Sequence, residues 1–412
     1  MKILLINNHH YKFGGAGTVY LNTARLLQEK GHEVIFFSVL REENIKTDYD
    51  KFFIKHKVDV KARLLNKIRN FNNYFYNKQA SYNLDQLLRK EKPDIAHIHL
   101  YLGGLTSSIL PILKRHKIPV VHTAHDYRLV CPSYTFLDGK GEICERCKGK
   151  NFYLCAIHRC SKNNFIESLV MSVEMYYRNA YYNPRKYIDG FIYVSNFSKN
   201  KHLQYFPALN ERKNIVLYNF TLQEKLMETS KEDYFLFFGR LSHEKGLFTL
   251  IKAFARTTDS KLIIAGDGPL HESIISFIKE KNILNIECIG FVEGLQLVEL
   301  IKKAKFVVVP SEWYENNPMT IVEAYTNGTP VIGADIGGIT EIVVNEQTGF
   351  LYESRNLSAL RDVLLKAKKI SNQHYTRMCT NAVKFAEDNF NEKSYLDKIM
   401  NFYTEVINNY EQ

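Results

Sequence analysis

Residues 306 to 333 read FVVVPSEWYENNPMTIVEAYTNGTPVIG, and this stretch contains a complete β-α-β unit. A continuous apolar run opens it and a second one closes it, which is typical of buried parallel strands. Pro318 predicts the first helical position and Gly328 the helix end, because proline favours the first turn and glycine the residue beyond the last. The stretch therefore predicts a strand, a loop, a helix and a second strand.

The same alternation of strand and helix runs through the rest of the chain. The other strand candidates are KILLIN (2–7), VIFFSV (34–39), DIAHIHL (94–100), PVVHTAH (119–125), FIYVS (191–195), YFLFFGR (234–240), LIIAGDG (262–268) and IECIG (286–290). Continuous apolar strands with helices between them indicate a parallel sheet that is covered on both faces. The sequence predicts an α/β protein built from doubly wound, Rossmann-like domains.

The length of the chain favours two such domains. A chain of 412 residues exceeds one ordinary core, and the strand pattern restarts close to Asn219. The predicted bounds are 1–215 for the first domain, 216–392 for the second and 393–412 for a closing helix. Two doubly wound domains would leave a cleft between them, with ligands at the carboxyl ends of the strands.

Charge and hydropathy limit the class of protein. Residues 1–200 hold 31 Lys and Arg against 17 Asp and Glu, a net of +14, while residues 201–412 hold 24 against 27, a net of −3. A basic half suits nucleic acid, an anionic membrane surface or a phosphorylated substrate. No apolar run approaches the roughly 20 residues of a membrane-spanning helix, and the start is too polar for a signal peptide, so we expect a cytoplasmic protein.

A cysteine-rich loop at 131–160 contains the run CERCKGKNFYLCAIHRC (144–160). Its first pair has the C-x-x-C spacing of a zinc knuckle, and the second pair is at the wide end of the usual range. Cys131 and His158 are spare candidates. Reduced packing thiols and a redox role are the alternatives. The residues predicted to hold a structural zinc ion are Cys144, Cys147, Cys155 and Cys160.

Two loops of the second domain carry residues suited to a sugar joined to a phosphate. Glu315 lies just before a predicted helix and Glu323 lies inside it. A carboxylate in this loop can accept hydrogen bonds from sugar hydroxyls, while the free backbone N–H groups in the segment 316–319 can face an anion. The run GRLSHEKG (239–246) places Arg240 and Lys245 in another strand-to-helix loop. A guanidinium and an ammonium group neutralise a diphosphate well.

The ordered set GGAG, HTAHD, GRLSHEKG, AGDGP, ENNPMTIVE and TPVIGADIGGITEIV resembles the retaining glycosyltransferases of family 4, over nearly the whole chain. The resemblance implies the GT-B fold, with two Rossmann-like domains facing a cleft. The first domain would bind the acceptor and the second the nucleotide sugar. The C-terminal helix would return to the N-terminal domain.

The resemblance also implies residue roles. Arg240 and Lys245 would bind the donor diphosphate, Glu315 would hold the transferred sugar, and Glu323 would bind the ribose. His125 would contact the sugar near the reacting carbon, and catalysis would rest on His125, Arg240, Lys245 and Glu315. The implied donor-binding residues are Gly15, Arg240, Lys245, Phe291, Val292, Glu315, Asn317, Pro318, Met319 and Glu323.

The expected function is a retaining sugar transfer that needs no catalytic metal. The acceptor would be a glycan or a polyprenyl-diphosphate-linked sugar in capsule, O-antigen or exopolysaccharide assembly, with peripheral contact to the anionic inner membrane through segments such as 55–79 or 165–187. No nucleic acid partner is expected. The alternatives are a GT-B epimerase or hydrolase of nucleotide sugars and a zinc-containing nucleic-acid-binding protein. The run NNPM after Glu315 departs from the common family pattern and leaves the donor sugar open.

Overall fold

Two parallel sheets organise the chain, as the α/β prediction requires. The computed structural model describes residues 1–55, 73–222, 230–255 and 260–411. Contacts divide the chain into unit 1, formed by Met1–Leu217 and Tyr395–Gln412, and unit 2, formed by Tyr218–Ser394. Each unit has one six-stranded sheet. The division lies between Leu217 and Tyr218, and the sequence places it between 215 and 216.

The sheet of unit 1 has the order β2-β1-β5-β6-β7-β8, with every neighbouring pair parallel. The short strands β3 and β4 pair separately. The strands are β1 Lys2–Ile6, β2 Glu33–Phe37, β3 Val39–Leu40, β4 Ile54–Lys55, β5 Ile95–Ile98, β6 Val120–Ala124, β7 Gly190–Tyr193 and β8 Lys213–Val216. The α-helices of this part are α1 Gly14–Glu29, α2 Lys78–Glu91, α3 Leu110–Arg115, α4 Tyr153–Ile157, α5 Phe165–Tyr181, α6 Pro184–Tyr187 and α7 Asn196–Tyr205.

The sheet of unit 2 has the order β11-β10-β9-β12-β13-β14, again with every pair parallel. The chain order reverses between β9 and β12, and ligands of such sheets bind at this reversal. The strands are β9 Tyr234–Phe238, β10 Lys261–Ala265, β11 Ile286–Gly290, β12 Phe306–Val309, β13 Val331–Asp335 and β14 Gly349–Glu353. The helices are α8 Leu247–Phe254, α9 His271–Glu280, α10 Gly294–Lys303, α11 Met319–Thr326, α12 Ile339–Ile342, α13 Leu357–Lys368, α14 Asn372–Asn389 and α15 Glu392–Glu411, of which α15 joins unit 1.

Strand β9 explains why both faces of the second sheet are covered. Its five residues are all buried. Phe235 and Phe237 pack into one apolar cluster, while Leu236 and Phe238 pack into another. Successive side chains of a strand point to opposite faces, so an all-apolar strand needs helices on both sides.

Helix α15 returns to unit 1, as predicted. Tyr395 forms a hydroxyl hydrogen bond of 3.1 Å with Thr23 of α1, and the Tyr403 hydroxyl lies 2.6 Å from His97 Nδ1 of β5. At Gly190 of β7 a Cβ atom would lie 2.8 Å from Val406. The closing helix therefore packs directly on the first sheet and α1.

Two predicted helix starts differ from the structure. The sequence predicts a glycine-containing turn at FGGAG (13–17) and a helix from Thr18 to Lys30, but helix α1 begins at Gly14, so the GGAG run forms its first turn. Helix α11 begins at Met319, and Pro318 precedes it with an extended ψ of 123°. Most of the predicted segment 55–79 lies outside the described residues. Within the described part, no helix is both long and apolar enough to cross a membrane.

Candidate active site

The donor-site candidates of unit 2 follow two strands that are neighbours in the sheet. Arg240 and Lys245 come after β9, Glu315 comes after β12, and Phe235 of β9 pairs with Phe306 of β12. Because both strands end at the same edge, their loops meet at the point where the strand order reverses. The topology therefore brings together residues that lie 70 positions apart in sequence.

The contact between these loops is an ion pair. Lys245 Nζ lies 2.6 Å from Glu315 Oε1, and Ser311 Oγ donates to the same oxygen at 2.7 Å. Only 5% of Glu315 is exposed. Burial is the largest single effect and raises the pKa of Glu315, but the charge of Lys245 and the hydrogen bonds from Lys245 and other side chains together outweigh burial, and the net pKa is lowered. Glu315 is thus a buried, ionised carboxylate at neutral pH.

Two glycines hold the loops around this pair. Gly246 has a φ of +67°, and a Cβ atom there would lie 1.9 Å from the Pro310 carbonyl oxygen. At Gly337 a Cβ atom would lie 2.6 Å from the Glu315 carbonyl oxygen, which also accepts from the Gly338 N–H at 2.7 Å. Only glycine fits such close approaches of two backbones. The loops are therefore fixed by packing before any ligand binds.

Arg240 occupies the same loop but faces solvent. It is exposed and forms no ion pair with a described residue. Its loop is tied to the AGDG run, since the Leu241 N–H donates to Asp267 O at 2.9 Å and the Gly239 N–H to Ala265 O at 3.0 Å. The guanidinium is free to meet an anion while its backbone is held.

The remaining donor candidates lie in the loops after β11 and β12. Phe291 is 69% exposed and Val292 is half-buried. Met319 and Glu323 are half-buried on α11, and Pro318 is buried just before it. The N-terminus of α11 directs its free N–H groups towards the end of β12.

Asn317 has a structural task that the sequence does not reveal. Its side-chain oxygen accepts from the Asn219 N–H at 2.9 Å, and Asn219 Nδ2 donates to its carbonyl oxygen at 2.8 Å. Sequence reasoning missed Ser311 and Asn219. The serine could have been noticed as the first hydroxyl after the strand FVVVP, whereas nothing in the sequence connects residues 219 and 317.

The candidates of unit 1 lie at the carboxyl ends of its strands. Gly15 is the second residue of α1, which follows β1, and the half-buried His125 directly follows β6. His125 Nε2 lies 2.8 Å from Nδ1 of the buried His99, which sequence reasoning missed. Burial lowers the pKa of His125 to about 3, so its imidazole is neutral at neutral pH.

The cysteines of the 131–160 loop lie close together. Cys160 contacts both Cys144 and Cys155, and burial raises the pKa values of Cys131 and Cys147. Around them the chain forms α4 and a small core with Phe152 and Met175. Among the described residues, however, no three His, Cys, Asp or Glu side chains are arranged so as to hold a metal ion. Zinc binding by Cys144, Cys147, Cys155 and Cys160 stays a prediction.

Solved structures resemble the fold over almost the whole chain. A sucrose-phosphate synthase from Thermosynechococcus elongatus has a TM-score of 0.73 at 17% identity, covering 98% of this chain and 99% of that one. An Anabaena protein in complex with UDP-glucose has a TM-score of 0.67 at 16% identity, covering 98% of this chain and 100% of that one. These likenesses establish the GT-B fold, as the sequence predicts.

Comparisons with curated relatives and with family models identify the family of this chain. A Klebsiella pneumoniae "uncharacterized 42.6 kDa protein in cps region" is 25% identical, covering 83% of this chain and 87% of that protein. An Escherichia coli "UDP-Gal:alpha-D-GlcNAc-diphosphoundecaprenol alpha-1,3-galactosyltransferase" is 26% identical, covering 79% of each. The model "Glycosyltransferase Family 4" matches residues 13–221, and "Glycosyl transferases group 1" matches 219–385. The chain therefore belongs to the glycosyltransferases, with a Family 4 N-terminal half and a group 1 C-terminal half.

Proposed function

We propose that this glycosyltransferase is a retaining enzyme that transfers a sugar from a nucleotide-sugar donor to a glycan or lipid-linked acceptor in surface polysaccharide assembly. The observation that carries the proposal is the Lys245–Glu315 pair at the strand reversal of unit 2, in which Lys245 shares the loop after β9 with the exposed Arg240 and Glu315 comes from the loop after β12. A sugar diphosphate needs cations for the phosphates and acceptors for the sugar hydroxyls, and this edge of the sheet supplies both.

The chemistry follows from those groups. Arg240, Lys245 and the N-terminus of α11 stabilise the negative charge that develops on the departing diphosphate. Glu315 accepts hydrogen bonds from hydroxyls of the transferred sugar, Glu323 binds the ribose, and neutral His125 contacts the sugar. The bond between the anomeric carbon and the phosphate oxygen breaks, the acceptor hydroxyl oxygen bonds to that carbon on the same face, and the hydroxyl proton passes to the departing diphosphate oxygen, so the anomeric configuration is retained. The charge on the diphosphate is met by side chains, so the reaction proceeds without a catalytic metal.

Two observations support the proposal that the acceptor is linked to a lipid diphosphate. The Escherichia coli relative is named for a diphosphoundecaprenol-linked acceptor, and the Klebsiella relative for a cps region. The net charge of +14 on residues 1–200 suits an acceptor that bears a diphosphate and lies at an anionic membrane surface. We propose that the enzyme works as a peripheral protein at the inner face of the cell membrane.

A donor panel tests the reaction. The chain is incubated with UDP-, GDP- and ADP-sugars, with and without lipid-extract acceptors, and the release of nucleoside diphosphate is measured. Release that depends on acceptor, with a product linkage of the donor's anomeric configuration by NMR, is expected. Turnover of the donor without an acceptor would favour the epimerase or hydrolase alternative, and an inverted linkage would contradict retention.

A matched pair of variants tests the site. Glu315→Gln removes the sugar-facing carboxylate and leaves Lys245 without its partner, so turnover should fall by roughly 10²-fold or more. Glu346→Gln removes an exposed carboxylate that pairs with Lys366 elsewhere in unit 2, and turnover should not change. If both variants keep full activity, the proposed donor site is wrong.

A further inference from the structure

Helix α5 exposes apolar side chains where most helices bury them. Its buried residues are Ser168, Ser172, Met175 and Arg178. Its exposed large side chains include Phe165 (49% exposed), Ile166 (71%), Leu169 (41%), Val173 (46%) and Tyr176 (42%). At 100° per residue these five lie within an arc of about 100°, whose centre is about 130° around the helix from the centre of the arc that holds the buried residues. A water-facing helix normally has the reverse pattern.

The neighbouring helix α4 extends this surface. Tyr153 and Ile157 of α4 are 51% and 59% exposed. The Tyr153 N–H donates to the hydroxyl of Tyr176 at 3.4 Å, so the two helices are in contact. We call Tyr153, Ile157, Phe165, Ile166, Leu169, Val173 and Tyr176 the α4–α5 face. Of the 18 large apolar side chains exposed among the described residues, these helices hold eight. Such concentration marks an interaction surface.

The segment of the chain that carries the α4–α5 face is basic. Residues 146–187 hold eight Lys and Arg against two Asp and Glu, a net of +6. Four of the exposed cations, Lys148, Lys150, Arg159 and Lys186, form no ion pair with a described residue. Apolar side chains flanked by free cations complement a surface with an apolar interior and an anionic rim.

We propose that the α4–α5 face docks the protein on an anionic lipid bilayer. The five apolar side chains of α5 would enter the boundary between headgroups and acyl chains, and the flanking cations would meet the lipid phosphates. A second copy of the chain fits less well, since a two-fold contact through this face would bring the free cations of both copies together. This inference deepens the proposed function, because it rests on an acceptor that resides in the membrane.

Vesicle flotation with the full chain tests the surface. Vesicles of phosphatidylcholine alone are compared with vesicles of phosphatidylcholine and phosphatidylglycerol in equal parts, without donor. Binding to the anionic vesicles that weakens with salt is expected. The double variant Ile166→Asp/Leu169→Asp should lower this binding by roughly tenfold or more. The control Ile275→Asp/Leu284→Asp adds the same charge at exposed apolar positions of unit 2 and should bind as the parent does.

Three results would overturn the inference. They are equal binding of both double variants, equal binding to neutral and anionic vesicles, or a homodimer in light scattering that Ile166→Asp/Leu169→Asp abolishes. Thermal unfolding of each variant shows whether it is folded, and Lys148→Gln/Lys150→Gln, which leaves the apolar face intact, should weaken binding at low salt. Binding of nucleoside diphosphate to unit 2 is measured separately. Its loss would contradict the proposed function, whereas its persistence without vesicle binding would contradict only the docking surface.

Discussion

Glu315 stays ionised in a buried position because Lys245 and Ser311 both donate hydrogen bonds to its Oε1 atom. A buried carboxylate without such partners would take up a proton more readily. The pKa of Glu315 is instead lowered, because the charge and hydrogen bond of Lys245, together with the hydrogen bond from Ser311 and other side-chain contacts, outweigh the opposing effect of burial. In the proposed reaction, Lys245 contacts a phosphate of the donor and Glu315 accepts a hydrogen bond from a sugar hydroxyl. The Lys245–Glu315 pair therefore places an ammonium group and a carboxylate side by side at the proposed donor site.

Replacing Arg240 should change catalysis without changing the stability of the fold. Because this side chain is exposed and forms no ion pair with a described residue, Arg240→Ala should change the free energy of unfolding by no more than about 0.5 kcal/mol. Its loss from the diphosphate site should lower kcat by about 10²- to 10³-fold. Urea unfolding and nucleotide release measure the two effects. Arg377→Ala, an exposed arginine on α14, should change neither quantity. Unaltered kcat in Arg240→Ala would remove Arg240 from the mechanism.

At the scale of elements, the conformation of the loop between β9 and α8 is fixed by its packing against the residues that follow β12. Gly246 and the Pro310 carbonyl group meet so closely that no side chain fits between them. Thr249 of α8 also donates to Glu312 Oε1 at 2.6 Å. The two donor-site loops are thus one packed structure.

The variant Gly246→Ala should damage this structure. The new Cβ atom would meet Pro310 O at 1.9 Å, so the Lys245 loop must shift, and nucleoside diphosphate binding should weaken by about tenfold or more. The control is Gly294→Ala, which has a similar φ of +61° but no atom within 4 Å of the added Cβ. It carries only the left-handed backbone strain of about 1–2 kcal/mol. Calorimetric titration with UDP, GDP and ADP compares them, and equal losses would contradict the steric argument.

The cysteine-rich loop 131–160 has a direct metal test. If Cys144, Cys147, Cys155 and Cys160 bind zinc, protein prepared without chelator should contain about one zinc ion per chain. Its removal by a chelator should lower the unfolding temperature, because metal binding stabilises the folded loop. Elemental analysis and calorimetry measure both. A zinc-free protein whose unfolding temperature is unaffected by chelator would indicate packing thiols instead.

At the scale of the whole molecule, the two units differ in their buried histidines. Unit 1 buries His10, His97, His99, His122 and His202, and burial lowers the pKa of His122 to about 3 and those of His10 and His202 to about 4. The described histidines of unit 2 are exposed or half-buried. Acid should therefore act mainly on unit 1.

Because only unit 1 has fully buried histidines among the described residues, we expect the unfolding transitions of the two units to separate as the pH falls. A lowered folded pKa means that the unfolded chain binds a proton near pH 6.5 and the folded chain does not. Stability of unit 1 is thus present above about pH 6.5 and is lost below it, by about 1.4 kcal/mol per pH unit for each such histidine. Trp313, the single tryptophan, reports on unit 2.

Urea unfolding compares Trp313 fluorescence with far-UV circular dichroism, which detects both units. On acidification from about pH 7.5 to about pH 5.5, the dichroism midpoint should fall further than the fluorescence midpoint. The comparison at about pH 7.5 is the control, since the histidines are then neutral in both states. Equal shifts of the two midpoints would contradict the assignment of acid sensitivity to unit 1.

Local sequence patterns were enough to predict most strands of the two six-stranded sheets, the two Rossmann-like halves and the closing helix, but not the edge strand β14 or the short strands β3 and β4. Apolar runs, glycines and helix breakers act over a few residues, so they can be read directly. The pattern failed at the start of α1, because GGAG suits a turn and a helix N-terminus equally.

Only the tertiary structure decided which loops meet and which faces stay exposed. The Lys245–Glu315 pair depends on β9 lying beside β12, the His99–His125 contact on β5 lying beside β6, and the Asn219–Asn317 bonds on contact across 98 positions. Likewise, the sequence of α5 predicts an amphipathic helix, but packing of its serines and Arg178 inward left its apolar side in water. The physical reason is that strand order and helix packing arise from long-range burial of the whole chain, which no short stretch of sequence contains.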